Sequence, residues 1–89
     1  MKINRKFVLH DIKQEHFIIC TDDKDININR IITLDDISAE VWNEVANKNF
    51  TVEDIVTYLL GNYDVDETTA TNDAKALIED WTNKDFIKQ

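Results

Sequence analysis

The segment "DININRIITLDDISAEVW", residues 25–42, changes its hydrophobic period without a break. Its first half sets Ile26, Ile28 and Ile32 at even spacing, as a strand does. Its last third spaces Ile37, Val41 and Trp42, with Val45 just beyond, for one face of a helix. Nothing that breaks backbone structure separates the two, since the whole chain holds one Gly and no Pro. A strand must pass directly into a helix near Leu34, which divides the fold into a β half and an α half.

Ahead of the switch, the apolar residues come in short runs rich in Ile, Val and Phe: "KFVLHDI", "HFIICT" and "ININRIITL". Lys13-Gln14-Glu15 and Asp22-Asp23-Lys24-Asp25 read as the connections between them. Strands are expected at about 6–12, 16–21 and 26–34, in an antiparallel meander. Beyond Leu34, Asp35 or Asp36 can cap a first helix over about 36–47. Thr51-Val52-Glu53-Asp54 resembles a capping box and opens a second over about 52–62, with Gly61 expected as its left-handed C-terminal cap. Asp66 caps a third over about 67–82, whose apolar stripe is Ala70, Ala74, Leu77, Ile78 and Trp81. The expected class is α+β: a three-stranded antiparallel sheet followed by three helices, in one domain spanning 1–89.

Such a sheet leaves two outer strands, each with a row of unpaired N–H and C=O groups. Proteins blunt these edges with Pro, charge or a covering element. Residues 31–34 carry none of these, and Arg30 before them blunts the edge only in part. An open edge is a hazard unless a guest strand pairs with it.

Composition limits the rest. The chain has 89 residues, 43% of them hydrophobic, which describes a folded chain able to bury roughly 60–65% of its unfolded surface. No apolar run approaches the ~20 residues of a membrane span. One cysteine forms no internal disulfide, so a reducing cytoplasm is the expected location. Eighteen acidic residues against ten basic give a net charge of −8, which repels nucleic-acid backbones. His10, His16 and Cys20 match no zinc spacing and no nucleophile–base–orienter set is visible, so neither a metal, a cofactor nor catalysis is expected. A helix-turn-helix DNA regulator is the rival class. Its reading helix, 66–82, would carry Lys75 against Asp66, Glu67, Asp73, Glu79 and Asp80, which opposes groove entry.

"LDDISAEVW" resembles the Leu-Asn-x-Thr-Gly-Ala-x-Ile-Trp pattern that follows the third strand in PqqD-like proteins, with Asp35 for Asn and Ser38 for Gly. The likeness continues through "TVEDIVTYLLGNYDVDETTATNDAKALIEDW" and "LIEDWTNKDFI". It implies a winged helix-turn-helix-like fold and a non-catalytic role as a peptide chaperone. Such domains bind the leader segment of a ribosomally made precursor peptide as an added strand. They present it to a modifying enzyme, often a radical S-adenosylmethionine protein.

On that reading the guest strand lies along Ile28, Asn29, Arg30, Ile31, Ile32, Thr33 and Leu34, facing the third helix. On that helix Ala74 leaves room for a peptide backbone, while Ile78 and Trp81 either floor a pocket for an apolar leader side chain or belong to the core alone. Lys75 and Arg30 are the cations expected to meet an acidic leader residue. The acidic excess of the chain allows the opposite preference, for a basic leader.

Overall fold

A computed structural model describes residues 1–20 and 31–88. In chain order the elements are β1 (Lys2–Ile3), β2 (Phe7–Ile12), β3 (Glu15–Cys20), β4 (Ile32–Leu34), α1 (Asp36–Val45), α2 (Val52–Asn62), α3 (Glu67–Asn83) and β5 (Ile87–Lys88). β2, β3 and β4 form an antiparallel sheet in that spatial order, and three helices follow, as the sequence implies. Residues 26–30 of the expected third strand lie outside the described residues. The register pairs Leu9 with Ile18 and Ile18 with Ile32, so one face of the sheet meets the helices. The other face exposes Val8 and Ile12.

Direct passage from β4 into α1 rests on Asp35. Its extended backbone ends the strand, and its carboxylate accepts the Ser38 N–H at 2.7 Å, capping the helix within one residue. The capping box of α2 is complete: the Thr51 N–H donates to Asp54 at 2.9 Å and the Asp54 N–H donates to Thr51 at 3.3 Å. Asp66 accepts the Thr69 N–H at 2.7 Å at the start of α3, and these bonds hold its carboxyl below the usual range. α1 stops at Val45, before the expected 47, because Ala46 and the residues after it turn toward Phe50. Phe50 is fully buried, and its N–H donates to the Met1 carbonyl at 2.8 Å.

An aromatic chain joins the layers. Trp42 of α1 meets Trp81 of α3 edge-to-face at 5.2 Å and Phe86 at 5.4 Å, and Phe86 meets Phe7 of β2 at 4.9 Å. The Trp81 indole N–H is buried without a hydrogen-bond partner among the described residues, a feature with no evident physical compensation.

β1 and β5 form a second, two-stranded sheet that the sequence pattern did not disclose. Lys2 pairs with Lys88 and Ile3 with Ile87. Buried Asn4 extends the clasp: its N–H donates to the Phe86 carbonyl at 2.7 Å and its side-chain amide to the Asp85 carbonyl at 3.2 Å. α3 reaches β5 through a Schellman motif, in which the Phe86 N–H bonds to Trp81 and the Asp85 N–H to Thr82. Asp85, at φ 65°, takes the left-handed position usually given to glycine.

Gly61 does not take such a position. It lies inside α2, which ends at an extended Tyr63, and its φ is not positive. Among the described residues those with positive φ are Lys13, Gln14 and Asp85. Lys13 and Gln14 make a two-residue hairpin loop closed by the Ile12–Glu15 pair, one residue shorter than expected. The glycine thus sits where none is required, and three left-handed positions lack one. A Cβ on Gly61 would meet nothing within 4 Å. Gly61→Ala should therefore stabilise the chain by about 0.5–1 kcal/mol, and Gln14→Gly should relieve up to ~1 kcal/mol of left-handed strain. Urea denaturation should show both as a rise in midpoint at unchanged slope.

Candidate functional site

The outer edge of β4 is open: among the described residues no strand pairs with it, and β3 is its only partner. Ile32 and Leu34 turn inward, Leu34 to burial, while Ile31 and Thr33 are exposed. Ile28, Asn29 and Arg30 lie outside the described residues.

Where β4 ends, a groove of about 420 Å³ opens between the first turn of α1, the end of α2 and the middle of α3. Its apolar lining includes Ile37, Val41, Leu59 and Leu77. Ile37, read from the sequence as a core position of the first helix, is 48% exposed. Asp35, Asp73 and Asp80 also line the groove. α1 explains why the groove lies on the β4 side. Its Trp42, Asn43 and Ala46 flank faces β2 across a different cavity, so the Ile37–Val41 flank turns the other way.

The expected α3 residues separate. Ala74 and Trp81 are fully buried, so they support the helix from beneath instead of facing a guest. Both sit at the centre of the buried stripe, where α3 packs on the rest of the core. At roughly 100° per residue, Leu77 and Ile78 flank that stripe on opposite sides. The Leu77 flank, with Asp73, Ala76 and Asp80, lines the groove. Half-buried Ile78 and exposed Lys75 do not line it. The spacing of Asp73, Ala76, Leu77 and Asp80 was a readable signal of a second stripe, hidden by the assumption that α3 has one apolar face.

A cavity pair of opposite character lies across α1. It is lined by Lys2, Arg5, Lys48, Asn43, Asn47 and Asn49 among others, and by no carboxylate among the described residues. Lys48 keeps Glu44 at 3.7 Å, one turn away.

His16 is not a free surface histidine. From β3 its Nδ1 lies 2.5 Å from Asp11 of β2, and its Nε2 lies 2.8 Å from Asp36 in the first turn of α1. The sheet and the helix that follows β4 are tied through this ring. Among the described residues no group of three or more His, Cys, Asp or Glu is placed to hold a metal ion. No helix among them is long and apolar enough to cross a membrane.

The arrangement is that of a small α+β fold with an unpaired strand edge beside a groove. Two solved structures share the fold. "TbiB1 in Complex with the TbiA(beta) Leader Peptide" matches with a TM-score of 0.77 and 22% identity, over 99% of this chain and 95% of that one. "Lasso peptide synthetase B1 complexed with the leader peptide" matches with a TM-score of 0.69 and 15% identity, over 92% and 89%. Comparison with curated proteins finds no match. The family model for coenzyme PQQ synthesis protein D, PqqD, matches residues 8–87, and the chain belongs to that family.

The two carboxylates, Asp11 first and then Asp36, raise the His16 pKa above its ordinary 6.5. A raised folded-state pKa means the stabilisation is complete below the unfolded value and fades as pH rises through the folded one. Thermal midpoints should fall as pH climbs upward from 6.5, and His16→Gln should remove that slope. An NMR titration of the ring should give a pKa above 6.5.

Proposed function

We propose that this protein is a non-catalytic peptide chaperone. It captures the leader segment of a ribosomally made precursor peptide as a strand added to the outer edge of β4. Membership of the PqqD family and the leader peptides present in both structural neighbours support this reading. The observation that carries it is the open β4 edge running straight into an apolar groove at Asp35.

Each part has a physical role. Outward N–H and C=O groups of residues 31–34 supply main-chain hydrogen bonds, which give affinity with little regard to sequence. The Ile37–Leu77 groove receives a leader side chain and supplies selectivity. Ala74 and Trp81 fix α3 at the distance the guest requires, since their burial locks the helix onto the core. The held peptide then offers its remaining segment to a separate modifying enzyme, a radical S-adenosylmethionine protein in the pathway type that the family resemblance implies. No reaction is assigned to this chain's own residues.

Calorimetry with the precursor peptide encoded beside this gene tests the reading. Ile37→Asp places a charge in the groove from an exposed position, so the fold should persist while affinity falls about tenfold or more (~1.4 kcal/mol). Neighbouring residues of a strand direct their N–H groups to opposite edges, so Ile32→Pro and Thr33→Pro should differ. One loses the ladder with β3 and destabilises the fold. The other loses only an outward donor, keeps its thermal midpoint and binds the peptide weakly. Unchanged affinity in every folded variant would remove the guest strand from this edge.

A further inference from the structure

We infer that the groove between α1, α2 and α3, at the end of β4, selects a peptide in which an apolar residue is flanked, two positions away on each side, by Lys or Arg. The inference rests on the peptide-capture reading above and specifies the chemistry of the peptide.

The order of side chains along α3 carries it. Asp73, Leu77 and Asp80 follow one another on the flank that lines the groove. Seven residues of helix set the two carboxylates about 10 Å apart along the axis, with Leu77 between them. In an extended peptide, side chains at i−2, i and i+2 face the same way and span about 13 Å. A guest lying alongside α3 therefore offers three side chains over the same interval as acid, apolar, acid. The complementary order is base, apolar, base. Long Lys and Arg stems absorb the small difference in span while their charged ends stay near water.

The surroundings favour cations as well. Asp35 adds a third carboxylate at the mouth of the groove. Asp80 is bonded to Lys84 at 2.9 Å, and Asp35 to the Ser38 N–H, whereas Asp73 has no hydrogen bond or ion pair among the described residues. Asp73 is thus the carboxylate most free to take a guest cation. Among the described residues no Lys or Arg lines the groove, and Lys75 projects from a different flank of α3. Among the described residues the cavities across α1 carry Lys2, Arg5 and Lys48 without a carboxylate, so they repel a basic segment that the −8 chain as a whole attracts. An acidic guest finds the reverse at every point.

Selection of a random 12-residue peptide library on the immobilised 89-residue chain tests this. The expected result is enrichment of Lys or Arg two positions before and after a large apolar residue. The double variant Asp73→Lys, Asp80→Lys should convert the flanking preference to Asp or Glu. Fluorescence anisotropy on an enriched peptide should show at least a tenfold loss of affinity when both basic residues become Glu, and a smaller gap at high salt. Asp73→Asn alone should weaken binding about threefold with an unchanged thermal midpoint. Enriched peptides with neutral or acidic flanks, or a gap indifferent to salt, overturn this inference and leave peptide capture standing. Failure to enrich any peptide over a blank surface overturns peptide capture, and the inference with it.

Discussion

The edge-to-face contacts of Trp42 with Trp81 and Phe86 are the joint on which the remaining structure turns. They draw α1, α3 and the approach to β5 to one point, and Phe7 carries the contact into the sheet. Large-to-small changes in such a cluster cost roughly 3–5 kcal/mol, a large part of what a chain of this size has in reserve. The joint also sets the rotation of α3. With Trp81 and Ala74 pinned beneath the helix, the Leu77 flank has to face α1 and the end of β4. The shape of the groove thus follows from core geometry.

Much of this was readable from the residues. β-Branched runs before Leu34, caps at Asp35, Thr51 and Asp66, and the absence of Pro led to the right order of strands and helices, because each is a local signal with a local cause. The open edge was readable for the same reason: four residues with no charge and no Pro. The site's far wall was less legible. Periodicity says that α3 has an apolar stripe, but not how wide it is or which margin meets a neighbour. Ile78 and Leu77 are equivalent on that criterion, and only the packing of Trp81 on Trp42 separates them. Ile37 was misplaced by similar logic, since an apolar residue in a first turn lies at the rim of the core where a groove can begin. The β1–β5 ribbon had two residues per strand, too short to carry a period at all. Gly61 shows the limit of residue identity: a glycine near a helix end suggests a left-handed cap, yet α2 continues through it and Asp85 takes such a position elsewhere.

Charge is distributed with more order than the net value suggests. The groove beside β4 is lined by carboxylates and aliphatic carbon, while the cavities across α1 are lined by amides and cations. The two are separated by the width of one helix. His16 adds a third local pattern, joining two carboxylates from β2 and α1 that would otherwise repel each other beside the strand's end. An acidic chain can therefore present electrically distinct faces.

The pairing of β1 with β5 makes the two described ends of the fold neighbours, with Lys2 opposite Lys88 at the spacing of adjacent strands. Topologically this is a loop with a single doorway. Chain entering before Lys2 and chain leaving after Lys88 pass through the same gate, on the side of the cationic cavities that Lys2 and Ile3 line. The edge of β4 lies at the far side of the sheet from β2 and stays clear of that traffic. A fold arranged in this way can be grafted into a loop of a larger protein, or have its ends joined and be cut open elsewhere, without a strand being threaded across its open edge.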